Sequence, residues 1–170
     1  MGCAQPIPRA AAAATVMVDI SWITDRLAVS GALWTRENLR AVARAGVTHI
    51  LNTQLEFPDR SLLVADDHDP VVLDLGTDDD LQPKPADYFR AAIRFALAAL
   101  AQPRNKLLVH CASGVHRGPM VALAILRVLG FSRRDALRRL RAARPQANFP
   151  DVYLDSVEAF LAEWQLQPEP

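Results

Sequence analysis

The chain has 170 residues, of which 51% are hydrophobic and 22% charged, with a mean hydropathy of +0.05. This composition describes one soluble globular domain and excludes disorder over the bulk of the chain. Nineteen basic and nineteen acidic residues cancel, so no nucleic acid and no membrane surface is expected as a partner. The cancellation is uneven. Residues 1–85 hold seven Lys/Arg against twelve Asp/Glu, a net of −5, and residues 86–170 hold twelve against seven, a net of +5, so an anion site is expected in the second half.

Residues 1–20 read as a flexible tail ahead of a domain spanning 21–166. Within the tail, Ala10–Val18 follows Arg9 like the apolar part of a signal peptide, but nine residues leading into Asp19 with no small-x-small cleavage site do not complete one. Gly2 is followed by Pro6 where myristoylation needs Ser or Thr. No stretch approaches the ~20 apolar residues of a membrane span. Cys3 and Cys111 do not form a disulfide framework, and a domain of this size needs none, which fits a reducing, cytoplasmic compartment.

Along the chain, a short apolar segment Leu27–Ser30 ends at Gly31, and a polar helix follows from Thr35, its N-cap, to Ala45, with Gly46 as its stop. Residues 47–52 and 71–75 read as strands joined by a polar, acidic connection. Apolar residues at 88, 89, 92, 93, 96, 97 and 100 have the spacing of a helix with one buried face. Leu107–Val109 is a short buried strand, and a loop at 111–118 leads into a helix from Pro119 to Leu129, stopped at Gly130. Ser132 with Asp135 is a capping-box variant opening a helix that Pro145 ends, and Phe149 to Trp164 forms the last helix. Strands alternating with helices predict an α/β single domain with a central, mostly parallel sheet of about five strands flanked by helices.

The chemistry concentrates at Lys106-Leu-Leu-Val-His110-Cys111-Ala112-Ser113-Gly114-Val115-His116-Arg117-Gly118-Pro119. A strand delivers a cysteine into a loop that carries an arginine six residues later and then starts a helix. Successive loop N–H groups and the orphan N–H groups of the helix form a concavity suited to a phosphate-like oxyanion. A thiol at a helix N-terminus beside a cation ionises readily, so Cys111 reads as a thiolate nucleophile. Arg117 offers a rigid fork that matches two phosphoryl oxygens, which a lysine would not. Gly114 lets the loop turn so that its neighbours' amides face inward, where a side chain could obstruct the cradle. His110 is expected to hydrogen-bond the surrounding backbone and hold the loop.

His110-Cys111-x5-Arg117 resembles the signature of cysteine-dependent protein tyrosine phosphatases, and its surroundings resemble their small dual-specificity branch. The likeness runs over residues 23–161: Ile23-Thr24-Asp25-Arg26-Leu27 with Ser30-Gly31, Gly46-Val47-Thr48-His49-Ile50-Leu51-Asn52, Tyr88-Phe89 and Arg144-Pro145 are similar to the family's pattern. The resemblance implies hydrolysis of phosphate monoesters, phosphotyrosine and phosphoserine/threonine of proteins or small phosphate esters, through a phosphocysteine, with no metal or other cofactor. It implies roles for Cys111 and Arg117 in catalysis and for Ala112, Ser113, Gly114, Val115, His116 and Gly118 in binding the phosphate. It also implies an aspartic acid that protonates the leaving oxygen. By spacing to Tyr88 and Cys111 this is Asp79, with Asp78 and Asp80 as alternatives. A carboxyl must be protonated to act so, and activity should fall as pH rises.

Two features depart from the pattern. Gly118 stands where the family has Ser or Thr, whose hydroxyl helps the thiolate leave, and the loop lacks the lysines of lipid-phosphate members. The helix at 132–144 holds Arg133, Arg134, Arg138, Arg139, Arg141 and Arg144, which read as a solvated face before a docking patch for an acidic partner. His49 and His68 have no metal spacing. A rhodanese-like sulfurtransferase would also use a loop cysteine, and a non-catalytic phosphopeptide-binding module would keep Arg117 and the loop amides without needing a nucleophile.

Overall fold

The computed structural model describes residues 18–65 and 68–166. Cys3, the alanine run and most of the expected tail lie outside the described residues. The strands β1 (Ile20–Trp22), β2 (Leu27–Ser30), β3 (His49–Asn52), β4 (Val71–Asp74) and β5 (Leu107–His110) form one sheet in the order β1-β2-β5-β3-β4. All neighbours run parallel except β1 and β2. The expected α/β class and strand number hold. The edge strand β1 was not legible as a strand, and Ile20 already pairs with Ser30 while the Asp19 carboxylate binds the Gly31 N–H. The ordered fold therefore reaches at least two residues ahead of the expected boundary at 21.

Among the described residues five α-helices cover the sheet: α1 (Arg36–Arg44), α2 (Ala86–Leu100), α3 (Arg117–Val128), α4 (Arg133–Ala143) and α5 (Asp151–Leu166). The period-2 alternation of the strands splits the apolar side chains between two cores. Leu27, Val29, Leu51, Leu107 and Val109 face α2, α3, α4 and α5, while Ala28, Ile50 and Leu108 face α1. Helix α3 sits in the middle of the larger core and is buried from Arg117 to Leu126 without a break. It starts two residues before the expected Pro119, with His116 as N-cap, so Gly118 and Pro119 both lie in its first turn. There Pro119 gives up an N–H that the helix could not have used.

Helix ends follow their caps. The Thr35 side chain accepts from Asn38 N, and Ser132 Oγ accepts from Asp135 N while donating to the Asp135 carboxylate. Gly46 and Gly130 take φ of +95° and +96°, the left-handed turn that ends α1 and α3. At Gly130 a Cβ would meet nothing within 4 Å. Gly130→Ala should therefore cost only the backbone penalty, about 1 kcal/mol, read as a lower midpoint in urea at unchanged slope.

Candidate active site

Central strand β5 ends at His110, and the chain turns there into the loop that enters α3. Cys111 is 1% exposed and sits at the carboxyl ends of the parallel strands, the edge where open α/β sheets bind ligands. The carbonyls of this loop point at donors elsewhere in the protein. His110 O accepts from Thr53 N and Thr53 Oγ1, both at 2.8 Å, and Ala112 O from Ala32 N at 3.0 Å. Ser113 O and Gly114 O accept from the Arg144 guanidinium at 3.2 and 2.6 Å, Val115 O from Asn148 N at 2.9 Å, and His116 O from Met120 N at 2.9 Å. Among the described residues no backbone N–H from Ala112 to Arg117 donates to a protein group. A run of six N–H groups without a protein acceptor, opposite anchored carbonyls, is an arrangement that can cradle an anion.

Arg117 completes the cradle. Its side chain is 4% exposed and its Nε is buried with no hydrogen-bond partner. The two terminal nitrogens are held from outside: Nη1 donates to Glu56 Oε2 at 2.9 Å and Thr77 O at 3.1 Å, and Nη2 to Glu56 Oε1 at 2.8 Å. This bidentate grip fixes the plane of the guanidinium and leaves its Nε edge free. Burial works against the cation, but the Glu56 hydrogen bond and the charges of Cys111 and Asp79 outweigh it and hold Arg117 above its ordinary value. In return Arg117 pulls the Glu56 carboxyl down to about 2, so the pair stays ionised at every working pH.

Of the three candidate acids, the structure brings only Asp79 to the loop. Asp79 Oδ2 lies 3.8 Å from Arg117 Nε and 3.1 Å from His116 Nδ1, and Asp79 Oδ1 accepts from Tyr153 Oη at 3.0 Å. Burial raises the Tyr153 phenol to about 12, so it remains a donor throughout the working range. Asp80 turns instead to Lys84 Nζ at 2.5 Å and to Gln82 N, and Asp78 is exposed. Among the described residues no group of three or more His, Cys, Asp or Glu is arranged to hold a metal ion, and no helix is long and apolar enough to cross a membrane.

Three expectations need correction. The His110 ring does not bond the backbone: Nε2 meets Asp59 Oδ2 at 2.5 Å, with both side chains fully buried, and it is the His110 carbonyl that binds backbone. Arg144 is not on a solvated face. It is 1% exposed, and besides the two loop carbonyls it binds the Asp19 carboxylate at 2.8 and 2.9 Å and Ser21 Oγ at 3.2 Å. The first cause of the lowered Asp19 carboxyl is this hydrogen bond to Arg144. Gly114 makes the turn expected of it, at φ +66°, but a side chain there would meet something other than the cradle. A Cβ there would fall on Arg144 Nη2 and within 2.6 Å of Ser30 O, behind the loop rather than in its cradle.

Sequence reasoning missed Glu56, Asp59, Tyr153 and Asp19 altogether. They stand in three segments away from the cysteine loop, Glu56 and Asp59 sharing the β3–β4 connection, and only the fold joins them.

The profile of the dual specificity phosphatase catalytic domain matches residues 34–160. The chain belongs to the dual specificity phosphatase family. Rat dual specificity protein phosphatase 26 is 30% identical over 118 residues, covering 63% of this chain and 51% of the relative. Its human counterpart is 32% identical over 99 residues, covering 52% and 42%. This dual specificity phosphatase domain thus spans about half the length of the curated relatives it matches. Among solved structures the fold is similar to human DUSP28 (TM-score 0.72, 21% identity, 95% of this chain and 99% of that one). It is also similar to PTPMT1 in complex with PI(5)P (0.73, 18%, 89% and 99%) and to Tk-PTP in the active form (0.69, 22%, 84% and 95%).

Removing Arg144 from this member of the family would leave the buried Gly114 carbonyl and the Ser113 carbonyl without their donors. Arg144→Met should lower stability by about 3 kcal/mol, visible as a fall in Tm of roughly 10 °C, with weaker binding of vanadate by the disordered loop.

Proposed function

We propose that the chain hydrolyses phosphate monoesters, phosphotyrosine and phosphoserine/threonine of proteins, through a phosphocysteine on Cys111. The observation that carries this reading is the run of unpaired amides from Ala112 to Arg117 around a buried cysteine, with the free Nε edge of Arg117 beside it.

A phosphate seated there would meet the loop amides and Arg117, donors that gain strength as the transferring group spreads its charge over three equatorial oxygens. Cys111 Sγ forms the S–P bond as the P–O bond to the leaving group breaks, and Asp79 gives that oxygen its proton. Asp79, then a carboxylate, takes a proton from the water that attacks phosphorus, and the thiolate departs. His110 supports the loop through Asp59. Ala112, Ser113, Gly114, Val115, His116 and Gly118 bind phosphate through the backbone, and the Ser113 side chain is exposed. A phosphoinositide of the kind that PTPMT1 holds in its solved complex is disfavoured, because the loop has no lysine to meet further phosphates. A cytoplasmic location belongs to this reading, and α4, with Arg133, Arg134, Arg138, Arg139 and Arg141 exposed, is a candidate face for an acidic partner.

Cys111→Ser should abolish turnover of an aryl phosphate while vanadate or phosphate still binds by calorimetry. Turnover at the wild-type rate would remove Cys111 from the nucleophile role, and sulfur transfer from thiosulfate would favour the sulfurtransferase reading. Asp79→Asn should lower kcat/KM for phenyl phosphate by about 10²-fold more than for p-nitrophenyl phosphate, whose leaving group needs little protonation. The same pattern in Asp78→Asn or Asp80→Asn would move the acid.

Gly118 supplies no hydroxyl to the departing thiolate, and such a hydrogen bond is worth roughly 1.5–3 kcal/mol. Stopped-flow mixing with p-nitrophenyl phosphate should therefore give a burst close to one nitrophenol per site, then slow turnover. A Cβ at 118 would lie 3.3 Å from His110 C and 3.4 Å from Cys111 N, a fit that needs a small backbone shift. Gly118→Ser should speed the slow phase about tenfold. A wild-type trace without a burst, with no gain from the variant, would mean that hydrolysis of the intermediate is not limiting.

A further inference from the structure

Both ring nitrogens of His116 are engaged, and neither partner is the phosphate cradle. Nδ1 lies 3.1 Å from Asp79 Oδ2, and Nε2 lies 3.2 Å from Asn148 Nδ2. Asn148 is itself anchored through its backbone N–H to the loop at Val115 O. An amide donating to Nε2 makes that nitrogen the acceptor and leaves the ring proton on Nδ1, aimed at Asp79. Tyr153 Oη, steadied by the Leu81 N–H, donates to the other carboxyl oxygen. Asp79 is thus tethered at both oxygens, once from the phosphate loop and once from α5. Each oxygen keeps a second lone pair for the proton to be delivered.

We propose that His116 is a positioning residue for the leaving-group acid, joining the Asp79 carboxyl to the phosphate loop through its Nδ1–H. The inference rests on the reading of Asp79 as that acid. As the P–O bond breaks, the proton passes from Asp79 to the leaving oxygen and the electron pair of the O–H bond stays on the carboxylate. The His116 proton does not move. Its hydrogen bond becomes charge-assisted at that moment and is stronger in the transition state than before it. The other ionisable groups facing this contact are Arg117, with Nε 3.8 Å from Asp79 Oδ2, and Tyr153, whose ring meets the imidazole edge-on at 6.4 Å. Lys84 stands over the same tyrosine ring but is committed to Asp80. If His116 takes up a second proton it still presents Nδ1–H, and Asn148 can turn its carbonyl to Nε2.

The readout is the ratio of kcat/KM for phenyl phosphate to that for p-nitrophenyl phosphate, which isolates the step that needs the proton. His116→Ala should lower this ratio about tenfold. His116→Asn, whose Nδ2 takes the place of Nδ1 and cannot titrate, should return it to within about twofold of wild type. Asn148→Leu, outside the loop, should move the ratio in the same direction by a smaller factor, and it serves as the test if His116→Ala does not fold. In an Asp79→Asn background His116→Ala should change the ratio no further. Equal losses on both substrates, an effect that persists without Asp79, or failure of asparagine to rescue would each overturn the proposal. An Asp79→Asn variant with an unchanged ratio would instead overturn the acid assignment on which it rests.

Discussion

The buried Arg144 guanidinium is the interaction on which the anion cradle depends. A loop can offer several N–H groups to one anion only if its carbonyls are turned the other way, and carbonyls turned into a protein interior need donors. Arg144 supplies them to Ser113 and Gly114, the middle of the loop, where no strand or helix could. A planar group with donors on three nitrogens can bridge two successive carbonyls and still reach Asp19 and Ser21. Gly114 is the counterpart of this arrangement, since any side chain would occupy the space that Nη2 fills.

Behind the loop a second polar layer holds the end of β5. Thr53 grips the His110 carbonyl, and the His110 ring reaches Asp59 in the short 3₁₀ turn Asp59–Leu62. The Asp59 N–H donates to Asp74, which also accepts from Asn52. The part of the β3–β4 connection around Asp59 is therefore tied to the sheet edge by charge and hydrogen bonding. It carries Glu56 at a fixed distance from Arg117.

The parts of this architecture that were legible in the sequence are those written in local chemistry. Thr35, Gly46, Ser132 and Gly130 mark helix ends because caps involve residues three or four apart. The cysteine, the arginine and the glycines of the loop share one short segment. The family resemblance points to the aspartates 78–80 and spacing picks Asp79 among them, but the side chains that turn Asp79 toward the loop and Asp80 away from it, Tyr153 and Lys84, have no sequence signature. Arg144 misled for a similar reason. Its five neighbours in the basic run are surface arginines by pattern, and it differs from them only because the last turn of α4 delivers it beneath the loop. The three residues of β1 were too few for any periodicity, and the acidic connection hid a buried Asp59 because most aspartates in such a stretch are solvated.

The grip of Glu56 on Arg117 also bears on how a substrate arrives. Each cation named around the cradle is matched: Arg117 by Glu56, Arg144 by Asp19, Lys84 by Asp80. The mouth consequently projects little net positive potential beyond a Debye length, and attraction begins only where the amide dipoles are felt at close range. Encounter with an anion is then governed by diffusion and fit rather than by electrostatic steering. A polyanion gains no advantage on approach over an ester bearing a single phosphate.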